Sequence, residues 1–82
     1  MKMENYQKLK SLTQRINSVI KELSSIQDNV LDLRDQKVLS KSDCGYVIYK
    51  LNNAIMGANS AQNWVFNLQM TEIEDELLKL KQ

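Results

Sequence analysis

An unbroken heptad stripe of eight apolar residues runs from Leu9 to Leu33, with Leu9, Ile16, Leu23 and Val30 at one core position and Leu12, Val19, Ile26 and Leu33 at the other. Spacing that alternates threes and fours puts all eight along one seam of an α-helix, and such a seam needs a partner helix to cover it. A second stripe begins at Cys44, with Cys44, Leu51, Ala58 and Val65 at one position and Val47, Ala54, Ala61 and Leu68 at the other. The pair predicts an all-α fold in which the two seams close on each other as an antiparallel helical hairpin.

Helix 1 is expected over about residues 5–36 and helix 2 over about 43–69. Periodicity lapses after Leu33, and Ser40, Lys41, Ser42 and Asp43 supply a polar segment that can cap the next helix, so the turn falls at about 38–42. Beyond Met70 the next core positions, Glu72 and Asp75, are acidic, and a shifted apolar set of Met70, Ile73, Leu77 and Leu80 takes over. Thr71 followed by Glu74 resembles a capping box, which predicts a terminal helix over about 72–81.

The alanines of the second stripe, with Gly57 beside them, suit close packing against larger residues on helix 1. Gly57, Asn59, Ser60 and Asn63 are poor helix formers, so a three-helix bundle turning at residues 57–60 is the alternative. The hairpin is preferred because the second stripe keeps register through residues 54–61. It also sets the basic start of helix 1 beside the acids at 72–76. Residues 1–82 read as a single helical domain.

The chemical inventory is thin. Eighty-two residues contain no histidine and one cysteine, which leaves no ordinary triad and no zinc cluster. The acids from Glu72 to Glu76 suit the solvated first turn of a helix better than acid–base work. A non-enzymatic chain without metal or cofactor is expected. Cys44 has no second thiol to pair with, and its apolar neighbours suggest a packed thiol in a reducing, cytoplasmic setting. Met1, Lys2, Met3 and Glu4 lead into a polar helix, so no signal peptide is visible. Residues 51–71 lack charge but hold five asparagines and two glutamines, too many amides for a membrane span.

That uncharged run is the informative part of the second half. It lies between Lys50 and Glu72 in a chain of which 26% is charged, and charge depletion with retained aromatics and amides is the composition of an interface core. Helical spacing places Tyr46, Tyr49, Asn53, Met56, Asn63 and Asn67 on the face away from the seam. Ile48, Ile55, Gln62 and Phe66 fall on one flank and Trp64 on the other. The candidate interface is therefore Tyr46, Tyr49, Asn53, Met56, Asn63, Trp64, Phe66 and Asn67.

Self-association through this surface, as a homodimer or higher oligomer forming a four-helix bundle, is the first expectation. A larger protein gripped by the same aromatic and methionine anchors is the second. A nucleotide or cyclic oligonucleotide could instead stack on tyrosine and tryptophan, with Lys50 or Arg15 meeting phosphate. Lys8, Arg15 and Lys21 would serve nucleic acid, but 11 basic against 10 acidic residues weigh against it. The sequence thus predicts an adaptor, regulator or inhibitor that works by occupying a protein surface. The alternative, by analogy with small regulators carried by bacteria and phages, is an inhibitor of a host enzyme or defence system, with sequestration of such a nucleotide as one route.

Overall fold

Polar residues between two apolar stripes let the chain reverse once, and the backbone closes that reversal with its own hydrogen bonds. Residues 3–81 are described by the computed structural model, Met3 by its backbone alone; residues 1, 2 and 82 of the expected domain lie outside them. The described residues form α1 (Met3–Asp35) and α2 (Lys41–Leu80), antiparallel neighbours in a ribbon of 65 × 15 × 11 Å.

α1 ends in a Schellman motif. The Val38 amide donates to the Leu33 carbonyl at 2.9 Å and the Lys37 amide to the Arg34 carbonyl at 3.0 Å, with Lys37 at φ 62°. Ser40 then caps α2, its Oγ accepting from the Asp43 amide at 3.0 Å. This cap starts α2 at Lys41, two residues ahead of the expected boundary.

α2 does not stop at residue 69, nor does it turn at Gly57. The Thr71 hydroxyl donates to the Asn67 carbonyl at 3.0 Å, one turn back, instead of capping a new helix. Residues 72–80 are thus the end of α2, with Lys81 as its cap, and not a separate element. The weak formers at 57–63 cost little enough that continuous packing against α1 carries the helix through. A Cβ on Gly57 would meet nothing within 4 Å, so the expected close packing at this glycine is absent within the hairpin.

The seam differs from the expected one in half of its residues. Leu9, Ile16, Leu23 and Val30 on α1 and Cys44, Leu51, Ala58 and Val65 on α2 lie buried or half-buried between the helices. Their partners are Thr13, Ile20 and Gln27 on α1 and Ile48, Ile55, Gln62 and Gln69 on α2, each four residues after a seam position instead of three. Leu12 (42% exposed), Val19 (53%), Leu33, Ala54, Ala61 and Leu68 are exposed, and Ile26 and Val47 are half-covered. The physical reason is that α2 carries Ile48 and Ile55 beside its two stripes, an apolar arc wider than one neighbour covers, and Ile20 answers them from α1. Ile48 and Ile55 fill the seam beside α1 better than Ala54 and Ala61 would.

Polar groups drawn into this seam are paired. Buried Gln69 receives the Thr13 hydroxyl on its Oε1 at 2.9 Å, while Gln62 Nε2 donates to the Thr13 carbonyl at 3.4 Å. Gln27 Nε2 donates to Asn52 Oδ1 at 2.6 Å. An unsatisfied buried amide would cost about 1–3 kcal/mol, so the bond to Gln69 fixes how the helices slide relative to one another, and the exposed Gln27–Asn52 bond supports the same alignment. Among the described residues only Val30, Cys44 and Val65 are buried apolar side chains, and none is fully enclosed.

Two substitutions test this fold. Lys37→Gly removes a left-handed conformation that costs a side-chain-bearing residue about 1 kcal/mol, so its chemical-denaturation midpoint should rise without loss of helicity. Ala58→Glu places an unpaired charge in the seam and should cost about 3 kcal/mol, read as lost helical circular dichroism; exposed Asn59→Glu should leave the signal unchanged.

Candidate interaction surface

Because the second apolar position of each heptad lies three residues after a seam position, it projects about 80° to one side of the seam. The helices are antiparallel, so that rotation carries both stripes to the same broad face of the ribbon. The cross-helix bonds set the levels: Thr13 meets Gln69 and Gln27 meets Asn52. Leu12 is then level with Leu68, Val19 with Ala61, Ile26 with Ala54 and Leu33 with Val47. The opposite broad face carries Lys10, Asn17 and Ser24 on α1 and Gly45, Asn52 and Asn59 on α2, interrupted by Leu31 and Phe66. One face of the hairpin is therefore apolar along its length and the other largely polar.

At the open end of the apolar face, Asn5, Lys8, Leu9, Leu68, Thr71 and Glu72 line a shallow recess of about 380 Å³. Here the basic start of α1 and the acidic part of α2 come side by side as expected, with Lys8 and Glu72 on one rim. Lys8 also pairs with Glu4 on its own helix at 3.1 Å. A second recess, of about 700 Å³, lies over the turn among Arg34, Asp35, Lys37, Leu39, Ser40 and Lys41.

The eight candidate interface residues on α2 are all exposed, but they do not form one surface. Tyr46, Tyr49, Asn53, Met56, Asn63 and Asn67 run along the outer edge of the ribbon. Trp64, 70% exposed, leans toward the apolar face. Phe66, two residues on and so about 200° around the helix, lies toward the polar face. Ile48, Ile55 and Gln62, expected on a free flank, are in the seam because α2 is rotated to put them there. Lys50 Nζ stands 5.4 Å from the Tyr46 ring centre and 5.9 Å from that of Tyr49, so the turn-proximal part of the edge is an aromatic pair with a cation over it.

Sequence reasoning placed Leu12, Val19, Leu33, Ala54, Ala61 and Leu68 inside the hairpin and so missed them as surface residues. The signal that could have found them is Ile20, Ile48 and Ile55, which extend the apolar arc beyond a two-position stripe. Among the described residues no helix is long and apolar enough to cross a membrane, and no group of three acidic, cysteine or histidine side chains could hold a metal ion. No protein-family model, curated protein or solved structure matches this chain.

Proposed function

We propose that this chain is a non-enzymatic protein–protein interaction module, an adaptor, regulator or inhibitor, that works as a small helical homo-oligomer. The observation that carries this reading is the imbalance between apolar surface and burial. Leu12, Val19, Leu33 and Leu68 remain open, while among the described residues the hairpin encloses no side chain fully. A two-helix ribbon of this kind gains little hydrophobic stabilisation alone, and association is the usual way such a chain reaches a stable fold.

The outer edge of α2 supports a second contact, with a larger protein. Tyr46, Tyr49 and Met56 offer apolar area with little charge, and at about 60% or more exposure they have much surface left to bury. Self-association would use the broad face, and a different protein the edge.

Light scattering on the purified chain at micromolar concentration should give at least twice the 9.5 kDa chain mass. A stable, fully helical monomer would contradict the oligomer. Tyr49→Ala should preserve both helicity and mass, since the edge lies away from the seam and from the apolar face. A monomeric Tyr49→Ala would instead assign the edge to self-association.

A further inference from the structure

We infer that a second copy of this chain seats on the apolar face formed by Leu12, Val19, Ile26 and Leu33 with Val47, Ala54, Ala61 and Leu68, and that the two hairpins complete a four-helix bundle. The inference rests on the reading of the chain as a self-associating module and assigns the surface that does it. That surface is not the aromatic and amide edge of α2, where the uncharged composition first directs attention.

Four observations converge on this face. First, both heptad stripes fall on it, at matched levels, so it is built from the whole length of the hairpin and not from one helix. Second, the eight positions are uncharged. Charge is confined to its rim and its end, with Lys8, Arg15 and Glu22 along the outer edge of α1, Lys50 on α2 at the same helical angle as Trp64, and Glu72 beside the recess. Third, α1 contributes branched side chains at every level and α2 contributes two alanines in the middle, so the face carries a ridge beside a furrow. A two-fold axis lying in the face and running along the ribbon lays the α1 ridge of each copy over the α2 furrow of the other at matched heptad levels. Such a face is self-complementary, which a symmetric dimer requires.

Fourth, the area is sufficient. From the Asn5 level to Leu33 the face is about 40 Å long at 1.5 Å per residue, and two packed helices are about 20 Å wide. The product, about 800 Å² per copy, matches what each partner contributes to a standard stable interface. Each helix would then use three positions per heptad, an apolar one shared by both contacts, one toward its hairpin neighbour that mixes isoleucine with threonine and glutamine, and an apolar one toward the other copy. That is the pattern of a bundle helix, not of a two-stranded coil. Trp64 leans toward this face and would lie at its rim.

Val19→Glu and Ala61→Glu, made separately, put a charge in the middle of the face, and Asn17→Glu and Asn59→Glu put the same charge on the opposite one. Sedimentation velocity at a fixed micromolar concentration should show the first pair as monomers, while the second pair keeps the wild-type mass. Should the wild type prove oligomeric and Val19→Glu keep that mass, the face assignment is overturned and self-association stands. A monomeric wild type overturns both.

Since a face variant may unfold once its partner is lost, labelling supplies a second readout that leaves the interface in place. Val19→Cys should react with a maleimide at least tenfold more slowly than Asn17→Cys in the folded protein. Equal rates at micromolar concentration overturn the inference.

Discussion

The second helix of this chain is apolar over a wider arc than α1 alone can cover, and the rest of the structure follows from which part of that arc the seam takes. The hairpin turn forces α1 and α2 together. Their contact takes the shared heptad positions and the residues four after them, including Ile20, Ile48 and Ile55. The residues three after the shared positions are then displaced to one broad face by the same rotation in both helices. Antiparallel packing makes that displacement additive. Two stripes that would lie on opposite sides of a parallel pair fall on the same side here.

Polar side chains settle the division. Thr13, Gln62 and Gln69 are poor choices for a purely apolar seam, yet they occupy it, bonded to one another and to backbone. In the seam their hydrogen bonds are sheltered and specify one alignment of the helices. On the open face they would interrupt the apolar surface. The chain therefore spends its amides where register must be fixed and leaves Leu12, Val19, Ile26 and Leu33 where shape and area matter. The turn adds to this precision: Lys37 holds a left-handed conformation and Ser40 caps α2, so the reversal is defined by backbone geometry instead of by loop length.

The all-helical class, the single reversal near residue 40 and one of the two seam positions on each helix were legible in the sequence. They depend on periodicity and on capping chemistry, which are local. The rotation of each helix about its axis was not legible, because it depends on which of two adjacent apolar positions packs better across the seam. Leu12 looks a better core residue than Thr13, and Leu68 than Gln69, when each helix is read alone. The pairing of Thr13 with Gln69, residues 56 apart in the chain, and the fit of Ile20, Ile48 and Ile55 across the seam favour the opposite choice. The terminal helix at 72–81 was misread for a related reason: Thr71 and Glu74 carry a capping signature, but mid-helix the threonine bonds backward to Asn67. The aromatic residues of α2 are exposed, and Trp64 and Phe66 lie on opposite flanks as their spacing requires, so it is their grouping into one candidate interface that does not hold.

Cover of the open face by another polypeptide is the proposal on which the stability of the folded chain turns. Its most direct test is the thermal unfolding midpoint of the purified chain, followed by circular dichroism at 222 nm while protein concentration is varied about a hundredfold. Coupled folding and association make that midpoint climb with concentration. The account predicts a rise of several degrees across the range; a sharp cooperative transition at the same temperature throughout would contradict it.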